Sequence, residues 1–142
     1  DRSLLDPVIK ACALEQDMQE LPNGEQTLIG ERGLNLSGGQ KARVALARAA
    51  YSNAALYLLD DPLAAVDAHV AEYLMEHCLS TTTGFLGHST RVLVTHQVQH
   101  LHYADYVIVV EDGEVSAVRP ADSLGPSELE ALGVKSHPQA EE

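Results

Sequence analysis

At 142 residues, with 45% apolar and 21% charged residues, the chain has room for one globular domain and is not a disordered tail. Nine basic residues stand against 21 acidic ones, a formal charge of −12 that disfavours a broad nucleic-acid surface. The longest apolar run, residues 54–59, is too short for a membrane span, and Asp1-Arg2-Ser3 has no signal-peptide architecture. Cys12 and Cys78 make no disulfide framework and suit a reducing compartment. Without Trp and with one Phe, the 20 Leu and 18 Ala must build the core.

In chain order, the first element reads as a helix capped by Asp6, with Pro7 in its first position and Val8/Cys12 and Ile9/Ala13 as apolar pairs four apart. Leu21-Pro22-Asn23-Gly24 breaks the chain, and residues 27–33 form a Gly-bounded loop. A second helix follows Ser37. An apolar strand over residues 55–59 stops at Asp60-Asp61-Pro62, and residues 68–79 predict a helix with Val70, Leu74 and Cys78 on one face. Residues 80–89 read as a surface loop, 91–95 as a strand and 96–103 as a short helix-like piece. Tyr106-Val107-Ile108-Val109-Val110 turns at Glu111-Asp112-Gly113-Glu114 into a hairpin partner over 115–118. A helical turn or two is expected at 127–132, then an acidic end with Glu141-Glu142. Continuously apolar strands separated by helices point to a parallel α/β sheet.

Chemistry concentrates in Leu36-Ser37-Gly38-Gly39-Gln40, which runs into Lys41-Ala42-Arg43. Ser37 and Gln40 have the spacing of a capping box. Two glycines remove side chains where backbone N–H groups close on an anion, and the helix dipole adds positive charge there. Twenty residues on, Leu56-Tyr57-Leu58-Leu59-Asp60 is a strand delivering a carboxylate, placed as an acid beside a nucleotide's Mg²⁺ would be. Asp61 follows, able to orient a water, and Asp67 lies on the next loop. Val92-Leu93-Val94-Thr95-His96 repeats the form, with His96 within reach of a phosphate. Taken singly, each has a plain structural explanation: a helix cap, a turn, a second cap. His96, His100 and His102 lack the carboxylate or Cys that would complete a metal site.

This constellation resembles the C-terminal portion of the nucleotide-binding domain of ATP-binding-cassette (ABC) transporters, over roughly residues 3–118. Residues 36–40 match the family's signature, 56–60 its Walker B, Ala64-Ala65-Val66-Asp67 its D-loop and His96 its H-loop histidine. Residues 27–33 are similar to the loop that touches transmembrane coupling helices. Leu59-Asp60-Asp61-Pro62-Leu63-Ala64-Ala65-Val66-Asp67-Ala68-His69-Val70 looks like the first nucleotide-binding domain of the C subfamily, the multidrug-resistance-associated type.

The resemblance implies a partial P-loop NTPase fold: the end of a helical subdomain, later parallel strands and helices, and a C-terminal β-hairpin. It implies a partial nucleotide-binding domain over residues 1–118 and an acidic extension or linker over 119–142. Ser37, Gly38, Gly39, Gln40 and Asp67 become nucleotide-binding, Asp60 supports Mg²⁺, and Asp61 and His96 are catalytic. ATP and Mg²⁺ are the cofactors. The partners are a second nucleotide-binding domain and transmembrane coupling helices, on the cytoplasmic face of a multi-pass membrane exporter.

The sequence also departs from the family. It contains no Gly-x-x-x-x-Gly-Lys-Ser/Thr loop, so the Walker A, the Q-loop and the adenine-stacking aromatic are expected before Asp1. The chain is therefore expected to be a fragment, inactive alone, with exposed strand edges and an open core. Asp61 stands where most of the family carries Glu, the mark of a slow site in the C subfamily. Two alternatives remain at this stage: a soluble ABC ATPase without transport, and a non-catalytic fragment with a binding role.

Overall fold

The computed structural model describes residues 1–30 and 35–131, as two compact units, 1–95 and 96 onward. Glu31, Arg32 and Gly33 of the expected loop, Leu132 and the acidic end lie outside the described residues. The chain is mixed α/β, with one parallel and one antiparallel strand pair among the described residues. Within them no helix is long and apolar enough to cross a membrane.

Helix α1 spans Arg2–Ala11 and begins a turn earlier than the sequence suggests. Asp1, not Asp6, is the cap, its carboxylate accepting the Ser3 N–H at 2.9 Å. Pro7 consequently lies inside the helix, where it removes one backbone donor. Val8 and Cys12 are buried as expected, and Ala13, at φ 53°, ends the run. A six-residue helix α2, Glu15–Glu20, follows and is not separately legible in the sequence. Helix α3, Gly38–Tyr51, places Leu46 and Ala50 in the core.

Strand β1, Leu56–Asp60, pairs in parallel with β2, Thr90–Val94, with Leu58 opposite Val92. Between them, α4, Ala68–Leu74, continues into a π-helical turn, Met75–Leu79. Leu74 and Cys78 are fully buried, as the expected apolar face requires. The loop expected at residues 80–89 is only partly a surface feature. Ser80 and Leu86 are buried, and Arg91 donates to the carbonyls of Leu86 and Ser89. Cys12 and Cys78 meet as free thiols at 3.9 Å. The hydrogen bond to Cys78, with burial, pushes the Cys12 thiol far above the ordinary range, as befits a small core hydrophobe.

One face of the β1–β2 pair is bare. Leu58 is 74% exposed and Leu56, Val92 and Val94 are each about half exposed, whereas Tyr57 and Leu59 face the core. Parallel strands in α/β proteins are covered on both faces, so this side is an open core, as the sequence leads one to expect.

In the second unit, a 3₁₀ segment Val98–Tyr103 precedes β3, Tyr106–Glu111, and β4, Glu114–Pro120, an antiparallel hairpin. Asp112 and Gly113 both have positive φ, the requirement of a two-residue primed turn. Helix α5 spans Pro126–Ala131, and Arg119 pairs with Glu128.

Among the described residues, α2 is tied to α3 through the Asp17 carboxylate. Asp17, 8% exposed, accepts from both terminal nitrogens of Arg43, and Gln40 donates to the same carboxylate at 2.8 Å. Burial pushes the Asp17 carboxyl up, but the hydrogen bonds and charge of Arg43 and Gln40 outweigh it and hold it below the usual carboxylate value. The stabilisation is therefore fully present above the unfolded carboxylate value of roughly 4 and is lost as pH falls through the lower folded value. Urea unfolding between pH 6 and about 3 should show this loss in the parent chain. Asp17→Asn is expected to be less stable near neutrality and to change less with pH over that interval. Parallel pH profiles for the two would mean that the pair contributes nothing.

Candidate functional site

The first turn of α3 is built by the capping box that the sequence announces. Ser37 Oγ accepts the Gln40 N–H at 3.1 Å, and Gln40 Oε1 accepts the Ser37 N–H at 2.9 Å. Ser37 O takes the Lys41 N–H. Among the described residues this leaves the amides of Gly38 and Gly39 at the positive end of a 14-residue helix dipole. The two glycines differ in surroundings. A Cβ on Gly39 would lie 3.2 Å from the Ala65 carbonyl oxygen, closer than ordinary contact, whereas one on Gly38 would meet Ala65 at an ordinary 3.8 Å.

Strand β1 delivers Asp60 on the exposed face, in line with Leu56 and Leu58. Asp61 leaves the strand with φ 44°, the left-handed region, which Asp tolerates better than most side chains. Its N–H donates to the Val94 carbonyl at 2.8 Å, fixing the strand's exit to β2. Fully buried Leu63 anchors the turn that follows. Asp67 then caps α4, its carboxylate accepting the Val70 N–H at 2.9 Å. That hydrogen bond holds the Asp67 carboxyl below its ordinary value.

The two helix starts meet across a groove of about 350 Å³ lined by Ser37, Gly39, Arg43, Ala65, Val66, Asp67 and Val70. The structure thus brings together Ser37, Gly39 and Asp67, three of the residues singled out in the sequence, with Gly38 beside them against Ala65. Gln40 stands behind the groove, bonded to Ser37 and Asp17. Asp60 and Asp61 sit at the β1 terminus and are not among the lining residues. His96 belongs to the second unit, ahead of the 3₁₀ segment. Sequence reasoning missed Asp17 and the inward turn of Arg43. Neither lies in an anomalous local pattern, and their pairing spans 26 residues.

Residues 6–64 match the family model described as ABC transporter. The chain is 54% identical over 108 residues to ABC transporter C family member 8 of Dictyostelium discoideum, covering 76% of this chain and 7% of that protein. It is 53% identical over 116 residues to human ATP-binding cassette sub-family C member 3, covering 82% of this chain and 8% of that protein. It is 50% identical over 126 residues to mouse ATP-binding cassette sub-family C member 10, covering 89% of this chain and 8% of that protein. The chain therefore spans less than a tenth of the length of these curated relatives. The chain is a segment of an ABC transporter nucleotide-binding domain, similar to those of C-family members.

Proposed function

We propose that this segment supplies the signature, Walker B, D-loop and H-loop of an ATP-hydrolysing domain in a multi-pass membrane exporter, on its cytoplasmic face. The further assignment is to the first nucleotide-binding domain of a multidrug-resistance-associated type of transporter. Residues 1–118 then form the partial P-loop NTPase portion, from the end of the helical subdomain through the later strands to the C-terminal hairpin. Residues 119–142 form an acidic extension. The observation that carries this reading is the groove, where a capped helix start, with Ser37 and Gly39 in the lining and Gly38 between them, meets the Asp67 turn.

The fit to a phosphate rests on Gly38. Its φ is not positive, and among the described residues a Cβ there would meet Ala65 at an ordinary 3.8 Å, so no close packing among them calls for glycine. A ligand approaching from outside does require it. Ser37, Gly38, Gly39 and Gln40 would meet the γ-phosphate of an ATP held by the partner nucleotide-binding domain, with Asp67 at the rim. Asp60, an exposed carboxylate at a strand end, has the hard oxygen donor that Mg²⁺ takes singly alongside phosphate oxygens. Bound there, Mg²⁺ would neutralise phosphate charge. Asp61 would orient water at this domain's own nucleotide, and His96 carries the H-loop role, donation to a phosphate, by family resemblance alone. Leu28, 91% exposed, suits the proposed contact with a coupling helix.

Three outcomes test this reading. The 142-residue chain alone, having no Walker A loop and a bare sheet face, is expected to show no saturable MgATP binding below about millimolar concentration by calorimetry. Micromolar binding would contradict the assignment of half a site.

In the full-length transporter, Gly38→Asp puts a carboxylate at the phosphate approach. ATP turnover is expected to fall at least about 100-fold while nucleotide photolabelling of this domain's own site persists. Near-parental turnover would leave the capped helix as a purely structural feature.

Asp61→Glu supplies the methylene that most family members have, and water placement is sensitive to shifts of about 1 Å. Nucleotide trapping should then show faster hydrolysis at this domain's site. Asp61→Asn should change total turnover by less than about threefold, because catalysis depends little on a slow site. A collapse in Asp61→Asn with no gain in Asp61→Glu would make Asp61 a working base and remove the slow-site assignment.

A further inference from the structure

Both ends of the Gln40 amide are used inside the chain. Its Oε1 accepts the Ser37 N–H at 2.9 Å, and its Nε2 donates to Asp17 Oδ1 at 2.8 Å. Asp17 is itself buried and bidentate with Arg43, which also donates to the carbonyl of Ala13 at the end of α1. A carboxylate only accepts hydrogen bonds, so Asp17 fixes which way the Gln40 amide faces. With Nε2 turned to Asp17, Oε1 must face Ser37, and the capping box closes. The residue that sets the geometry of the groove thus lies 20 residues before Ser37, outside every family motif named above.

We propose that Asp17 is a positioning residue for the Ser37–Gly39 helix start, acting through Gln40, and that Gln40 supports this turn instead of contacting the phosphate. This rests on the nucleotide reading of the groove and revises one residue of it. A mere ion pair with Arg43 would stabilise the fold without depending on the chemistry at position 40. A positioning role does depend on it, and polarity reversal separates the two. Asp17→Asn offers an NH₂ group to Gln40 and loses the fixed orientation. Gln40→Glu sets two carboxylates against each other. When Asp17→Asn and Gln40→Glu are combined, the new amide at position 17 donates to the new carboxylate at position 40. The other oxygen of that carboxylate still accepts the Ser37 N–H, and net charge is unchanged.

The test uses the full-length transporter, with ATP turnover normalised to folded protein and the KM for ATP measured alongside. Each single variant is expected to lose about tenfold in kcat with KM within about twofold, and the double variant to recover to within about threefold of the parent. A double variant as poor as the product of its singles overturns the proposal, whether because Gln40 touches nucleotide or because only the Arg43 pair matters. Single variants that lower the unfolding midpoint but leave turnover per folded molecule intact overturn it as well. Should Asp17→Asn fail to fold, Gln40→Leu keeps the ion pair and removes the link; the expectation is again about a tenfold loss, and parental turnover overturns the proposal. Gly38→Asp serves as the control for the underlying reading. Normal turnover there removes the nucleotide from the groove, whereas a collapse there with unaffected Asp17 and Gln40 variants removes only this inference.

Discussion

A carboxylate taken out of water has to be matched, and at Asp17 the match organises the helix start that faces the groove. Its partners are Arg43 and Gln40, both on the first two turns of α3. The pair does not have to be the most stable solution. Apolar side chains of equal volume often serve as well in energy, but they impose no direction on a neighbour's amide. Direction is what the capping box needs, since Gln40 can close it only with its oxygen toward Ser37. The outward amides of Gly38 and Gly39 follow from that closure.

The elements legible in the sequence are those whose determinants lie within a few residues. The Ser37–Gln40 box has both partners inside one turn, and the structure contains it as read. Asp112-Gly113 carries its own turn geometry, and β3 and β4 flank it. The start of α1 differs from the expectation because two Asp residues compete as caps and Asp1 wins, leaving Pro7 inside at the loss of one hydrogen bond. The π-helical turn after Leu74 adds a residue to the period, which a 3.6-residue template does not anticipate. Asp17 is illegible for a different reason. Its meaning comes from Gln40 and Arg43, 23 and 26 residues away, and nothing in the local run Glu15–Glu20 distinguishes it from its acidic neighbours. The meeting of Ser37 with Asp67 across the groove, 30 residues apart, likewise leaves no local signal.

The β1–β2 pair has a similar split between what is fixed and what is left open. Tyr57 and Leu59 are buried, while Leu56, Leu58, Val92 and Val94 on the opposite face are exposed. Asp60 lies on that same bare face, so its electrostatic surroundings depend on whatever covers the sheet. Asp61 is held differently. A backbone bond to Val94 and the buried Leu63 fix its left-handed conformation from within the unit. Of two adjacent carboxylates, Asp60 is placed by its register opposite Val94 and Asp61 by the backbone bond just beyond it.

The two glycines of the helix start draw the same distinction between packing and recognition. Gly39 is the tighter of the two: a methyl group there would lie 3.2 Å from the Ala65 carbonyl oxygen, so the 64–67 turn would have to give slightly. That turn carries Asp67, which lines the groove with Ser37 and Gly39. Among the described residues Gly38 has no such close neighbour, a Cβ there meeting Ala65 at an ordinary 3.8 Å. The Gly38 side of the turn is thus open where the Gly39 side is packed. On the proposed nucleotide reading, packing against Ala65 sets where this first turn lies, and the open Gly38 side is where a phosphate would approach.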